Sequence, residues 1–288
     1  MAPHSTSKEP FPGVMVAEVF ERMEFVDLTR FASGTGMFRD IARLVLNLRY
    51  NRMLERFYPS GVELRKKLDE TCSAISGSFV LEYALYGLLW KCNDLDIYTL
   101  QDRADEWEEF FKRVGYVRQT RQSTDEDGGG EPYFIPTVKE VRTLVRTRHD
   151  GRRSLVDIIV SDSANVLRPL SAFWNTFVQN FATGNTFTFV YPRNTFALRG
   201  QVTGMWRQDD RVPEMVQKYL SRGFISASPN STPIPPQDFP PIRRNLFDAF
   251  SWSINISNGN AGDEFSREDV TSLIPHQFGW FDGGVLLF

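Results

Sequence analysis

The stretch from Ser76 to Tyr98, SGSFVLEYALYGLLWKCNDLDIY, decides how the chain is read. It opens on a Gly-Ser pair, runs through twelve almost wholly apolar residues from Phe79 to Trp90, and ends in two aspartates one residue apart inside a hydrophobic run. Ala74 and Ile75 before it read as a short strand that stops at the Gly-Ser turn. The apolar dozen reads as a buried helix and LDIYTL as a strand. Alternate side chains of a strand share a face, so Asp94 and Asp96 point one way while Leu95 and Ile97 point the other. Two carboxylates that close raise each other's pKa or call for a cation.

Downstream, DRADEWEEFFKRVGY places Trp107, Phe110, Phe111 and Val114 on one helical face, with Gly115 in a C-cap position. The loop STDEDGGGEP, acidic and glycine-rich, has no means of forming a packed core. VRTLVRTRHDGRRSLVDIIVS then reads as two alternating strands joined at Asp150-Gly151, a favoured hairpin pair. The second of these strands carries Asp157 between apolar neighbours. SAFWNTFVQNFATG is expected to be a helix with Phe173, Trp174, Phe177, Val178 and Phe181 turned inward. Upstream, residues 1–13 form a polar, proline-punctuated tail. Two helical stretches come next within residues 14–60 and make an all-helical N-terminal module, and VELRKKLDETC adds a further helix. The core is expected over residues 61–200, and residues 201–288 form a C-terminal extension broken by a Pro-rich loop at 228–241.

The 288 residues suffice for a sizeable core. With 41% hydrophobic, 14% aromatic and 24% charged residues, the composition is that of a folded globular chain. A formal net charge of −3 gives no electrostatic case for a nucleic-acid or membrane partner. Cys72 and Cys92 are the only cysteines, so neither a disulfide framework nor a Cys-rich zinc site is available. The apolar run at Phe79–Trp90 is too short to span a bilayer and contains Glu82. The expectation is a soluble, intracellular protein of the cytoplasm or nucleus.

The chemistry starts from the carboxylates. A Gly-Ser turn at a helix start presents backbone N–H groups where phosphate oxygens bind. Asp94, Asp96 and Asp157 on adjacent strands beside that turn, Gly77 and Ser78, make the donor set of a magnesium-dependent nucleotidyl transfer, in which metal ions hold the triphosphate and stabilise attacking and leaving oxygens. In order and context these residues resemble the DNA polymerase beta-type nucleotidyltransferase superfamily: Gly77-Ser78 at a helix start, Asp94-Leu95-Asp96 on the next strand, and a third acid, Asp157, on a later one. The long gap between turn and paired acids resembles the abortive-infection nucleotidyltransferases of bacterial toxin and antitoxin systems, with Lys91 and Cys92 where those have an arginine and a serine. Most of the chain is also similar to basidiomycete proteins with this core, including SAFWNTFVQNFATG and FVYPRNTFALRG, and VFERMEFVDLTRFASGTGMFRDIA resembles their F-box-like N-terminus.

The resemblance implies an α+β fold, a nucleotidyltransferase-like mixed sheet flanked by helices. It implies Mg²⁺ or Mn²⁺ at Asp94, Asp96 and Asp157, an NTP as substrate held by Gly77, Ser78 and Lys91, and a Skp-type adaptor as partner of residues 14–57. Arg193 and Arg199 are further candidate triphosphate contacts, and Asn175 and Asn180 candidate contacts to base or ribose. Two other readings stand beside transfer. In one the fold is kept without catalysis, as an interaction protein or F-box-like ubiquitin-ligase substrate receptor. In the other the acids are structural, Asp94 capping a strand end and Asp157 pairing with Arg152 or Arg153. His149 and His276 read as solvated or capping residues.

Overall fold

A computed structural model of the chain describes residues 18–257 apart from 89, 120–136, 149, 204–205, 207–211, 228–242 and 245–250, together with the backbone alone of 227, 243–244, 279–281 and 284–286. The tail at 1–13, the start of the helical module at 14–17, the acidic loop at 123–132, the Pro-rich loop at 228–241, His149 and His276 lie outside the described residues.

Helices α1 (Phe25–Ala32), α2 (Gly36–Leu54) and α3 (Gly61–Glu70) open the described chain and lead to strand β1 (Ala74–Ser76). Ser60 caps α3 by accepting the Glu63 N–H at 3.2 Å, the first half of a Ser-x-x-Glu capping box written in the sequence. After β1 come α4 (Ser78–Ala84), β2 (Asp94–Thr99), α5 (Ala104–Lys112), β3 (Val117–Arg118), β4 (Val138–Thr147), β5 (Arg153–Ser161) and α6 (Arg168–Ser171). The chain continues through β6 (Asn180–Ala182), β7 (Thr186–Phe189), α7 (Pro192–Phe196), β8 (Arg199–Gln201), α8 (Val212–Leu220), β9 (Ile225–Ala227), β10 (Arg243–Arg244), β11 (Trp252–Asn255), β12 (Gly279–Phe281) and β13 (Gly284–Leu286).

Eight strands form one mixed sheet in the order β11-β7-β6-β1-β2-β5-β4-β3. β2 and β5 run parallel, and the other neighbours in this sheet are antiparallel. The hairpin forms, with five residues between its strands and not the two-residue turn expected at Asp150-Gly151. β4 and β5 pair along their length from Thr147 opposite Arg153 to Val138 opposite Ser161, with a register shift between Val138 and Glu140. Gly151 takes a φ of 75° at the tip, a conformation eased by the lack of a Cβ.

One face of the sheet carries Ile75, Leu95, Ile97, Val156, Ile158 and Phe187 into a buried cluster with Leu28, Leu46, Tyr50, Phe79, Tyr83 and Trp107. The N-terminal helices therefore share their core with the sheet. Polar contacts tie them further, with Tyr50 Oη donating to the Thr183 carbonyl at 2.8 Å and Tyr83 Oη to that of Leu46 at 2.7 Å. The other face is covered over Ala74, Tyr98, Ile159 and Phe181 by Val166, Leu167 and Leu170. A third cluster, around Trp174, Phe177, Trp206, Tyr219 and Phe224, packs beside it. No helix among the described residues is long and apolar enough to cross a membrane.

Two helices expected from the sequence differ. The apolar dozen after Ser78 is helical only to Ala84, and the chain turns at Gly87, whose φ is 103°. Glu82, the single charge in that run, accepts the Cys92 N–H at 2.6 Å and an Arg56 N–H, which pins the returning chain against the helix. SAFWNTFVQNFATG is not a helix: a 3₁₀ turn at Thr176–Val178 leads into β6, which pairs with β1 and β7. Phe177 and Phe181 are buried as expected, but on different clusters. The backbone groups of β1 require a partner on each side, and satisfying them outweighs helical spacing.

Candidate functional site

The parallel pairing of β2 with β5 sets Asp96 directly opposite Asp157, with Asp94 opposite Leu155. Side chains at paired positions of adjacent strands share a face, about 5 Å apart. Asp96 is also paired with Ser76 on β1, so Gly77 begins its turn beside that carboxylate. Gly77 holds φ 72° and ψ −145°, a region open in practice to glycine alone, and an added Cβ would land on Asp96 Oδ2. Ser78, buried at the start of α4, donates from Oγ to Asp94 Oδ1 at 3.1 Å. With seven residues α4 has little macrodipole, so the turn contributes space and amide groups more than a field.

Gly77, Ser78, Asp94, Asp96 and Asp157 all line one cleft of about 1450 Å³. Asp96 lines this cleft and is half-buried. Burial first, and then the charges of Asp94 and Asp157, hold its carboxyl well above the usual carboxylate range, with Lys218 acting in the opposite direction. Burial also raises the Tyr219 phenol, and Asp94 and Asp96 push it further up against the pull of Arg222. The Cys92 thiol, two residues before Asp94 and outside the cleft lining, is raised by burial as well and is a thiol and not a thiolate.

Three clustered carboxylates without nitrogen or sulfur donors suit a hard, oxygen-preferring divalent cation. Among the described residues no group of three or more His, Cys, Asp or Glu side chains is placed so that it could hold a metal ion. Mg²⁺ is commonly held by one or two carboxylates with water and substrate oxygens completing the shell, which an open row of aspartates permits.

Other sequence candidates lie elsewhere. Lys91, Arg193 and Arg199 are exposed, and none lines the cleft. Asn175 and Asn180 are fully buried. Asn175 accepts the Phe177 N–H at 3.3 Å and donates to Ser226 Oγ at 2.8 Å, and Asn180 donates to the Phe177 carbonyl, so both hold local backbone in place. Arg153 is four residues from Asp157 on the same strand, about 13 Å along it, and Arg152 precedes the strand, which removes the ion pair suggested by sequence.

The core expected at 61–200 stops short of one wall of the cleft. Trp206 and three residues of α8, Met215, Lys218 and Tyr219, also line it. Tyr219 is buried against Trp174, Phe177 and Phe224, which fixes the helix that carries Lys218. The amphipathic pattern VPEMVQKYL marks α8 as a packed helix but does not say against which surface it packs. Comparison with protein-family models and with curated proteins finds no match.

Proposed function

We propose that the protein is a metal-dependent nucleotidyltransferase that moves a nucleoside monophosphate from an NTP to an acceptor hydroxyl. The observation that carries this reading is the register of β2 on β5, which sets Asp96 beside Asp157 with Asp94 two residues away, all facing a cleft whose floor at Gly77 has no side chain. Mg²⁺ or Mn²⁺, when bound at these aspartates, neutralises the triphosphate and polarises its α-phosphorus. Asp94 and Asp96 hold and orient that charge, and Asp157, farthest from the Gly77-Ser78 turn, takes the proton of the attacking hydroxyl. Ser78 keeps Asp94 in place through its hydrogen bond, and Lys218 of α8 supplies positive charge that acts on Asp96.

Mg²⁺ with ATP is expected to raise the melting temperature of the full chain, because a ligand that binds only the folded state stabilises it by mass action. At a ligand excess of about a hundredfold over Kd the gain is about 2.7 kcal/mol. The double substitution Asp94→Asn with Asp96→Asn removes that rise while the metal-free chain stays folded. A shift of equal size in the double variant overturns the assignment.

A second reading, an interaction protein with an F-box-like N-terminus, is favoured by the exposed apolar side chains Met37, Phe38, Leu44 and Leu48 on α2. Under it the full chain captures a purified Skp-type adaptor, and the substitutions Leu44→Glu and Leu48→Glu abolish capture. Capture that survives both substitutions excludes this face. The full chain is the material to use, because α1 and α2 share their core with the sheet.

A further inference from the structure

The order of strands across the sheet separates the two substrates. Moving from β1 through β2 and β5 to β4, the cleft presents the Gly77-Ser78 turn, then Asp94 and Asp96, then Asp157, and then the side chains of β4. Adjacent strands are spaced by about 4.8 Å, so the turn and β4 stand roughly 14 Å apart. With the triphosphate at the turn and the carboxylates in the middle, the attacking hydroxyl approaches over β5 and β4. The cleft, at about 1450 Å³, exceeds the roughly 300–1,000 Å³ of a single small-ligand pocket and has room for both molecules.

The β4 side of the cleft carries an apolar patch among polar side chains, Val138 and Val141 lying beside Arg118, Gln119, Lys139, Glu140 and Thr143. Thr143 is paired with Asp157, and one step further along the same face Val141 is paired with Ile159. Val138 and Phe173 pack against the buried cluster that holds Ile159, and Pro169 also lines the cleft. The polar groups at this end do not make a phosphate track. The Arg118 guanidinium is held by Glu140 at 2.8 Å and Glu108 at 3.5 Å, Glu140 itself lines the cleft, and among the described residues the cations that line it are Arg118, Lys139 and Lys218, all exposed. A nucleic-acid end needs several cations following its backbone.

We propose that the acceptor is a small molecule whose hydroxyl is carried on an apolar body, seated on Val141, Ile159 and Phe173 with the hydroxyl beside Asp157. The inference rests on the nucleotidyltransferase reading of the same cleft. In the step it describes, the acceptor oxygen forms a bond to the α-phosphorus and the bond from that phosphorus to the bridging oxygen of the β-phosphate breaks. Pyrophosphate leaves with the electron pair, and the hydroxyl proton passes to the Asp157 carboxylate.

The test incubates the full chain with Mg²⁺ and ATP labelled at the α-phosphate, in parallel with N-acetyltyrosinamide, benzyl alcohol, glucose and a short oligoribonucleotide with a free terminal hydroxyl. Label is expected on the first two. Val141→Glu, at a position 41% exposed and therefore tolerant of the change, is expected to lower kcat/KM for them by about tenfold or more, the scale of a disrupted apolar subsite, with the ATP-dependent melting shift unchanged. Label only on the oligoribonucleotide, on glucose or on the protein itself overturns the inference. So does no transfer to the two apolar alcohols by protein whose ATP-dependent shift is intact, or a Val141→Glu variant that transfers as well as the parent. Loss of the ATP-dependent shift in the unmutated chain overturns instead the nucleotidyltransferase reading beneath it.

Discussion

Gly77→Ala is expected to destabilise the chain by about 2–4 kcal/mol and to abolish any nucleotide-dependent rise in melting temperature. Two costs combine. The backbone at φ 72° and ψ −145° is a region that a Cβ makes unfavourable by roughly 1–3 kcal/mol. The same Cβ lands on Asp96 Oδ2 and forces that carboxylate out of its position beside Asp157. Gly151→Ala separates the two, since Gly151 also has positive φ but nothing within 4 Å of the added carbon. It carries the backbone cost alone, about 1 kcal/mol. Chemical denaturation of both variants gives the comparison, and equal losses of stability show that no close approach exists at Gly77.

Asp96→Asn is expected to raise the stability of the metal-free chain at neutral pH while removing its response to Mg²⁺ and ATP. The carboxyl of Asp96 keeps its proton to higher pH in the folded state than in the unfolded chain, through burial and the neighbouring charges of Asp94 and Asp157. Folding thus favours the protonated form. As pH rises from the unfolded carboxylate range, about 4, through the folded pKa, the unfolded state releases its proton first and stability falls, levelling only above the folded value. Asparagine cannot ionise, so the variant lacks this loss. Each pKa unit of separation corresponds to about 1.4 kcal/mol, and about 1 kcal/mol moves the melting temperature of a chain this size by roughly 2–4 °C. Melting curves at pH 5 and pH 8 without metal decide it: the gain from Asp96→Asn grows with pH. A variant less stable than the parent at pH 8 means that Asp96 is a structural acceptor and the site assignment fails.

Asp94, Leu95, Asp96 and Ile97 declare their own faces in the sequence, because strand alternation is a local property, and the hairpin is legible because Asp150-Gly151 supplies a turn between two alternating runs. The Ser60 cap and the buried face of α5 are local in the same sense. Each of these depends on a few neighbouring residues.

The remaining features depend on partners far away in the chain. SAFWNTFVQNFATG has spacing compatible with a helix, and it becomes a turn and a strand because β1 offers it backbone hydrogen bonds that no local pattern records. Phe79–Trp90 breaks early because Glu82 meets Arg56 and the Cys92 amide. The helices before residue 57 read as a separate module, yet Leu46 and Tyr50 bury their side chains in the cluster that also holds Ile97 and Phe187, a choice made by where apolar faces find cover. The candidate site divides along the same line. The sequence by itself determined its three aspartates and the Gly-Ser turn, since those residue types and their strand positions are written in order. Tertiary structure alone decided that Asp157 lies in register with Asp96, that Lys218 and Tyr219 line the cleft from a helix beyond the expected core, and that Lys91 stays outside it. Register and cleft lining are set by strand pairing and burial between segments more than fifty residues apart, and a one-dimensional pattern carries no measure of those distances.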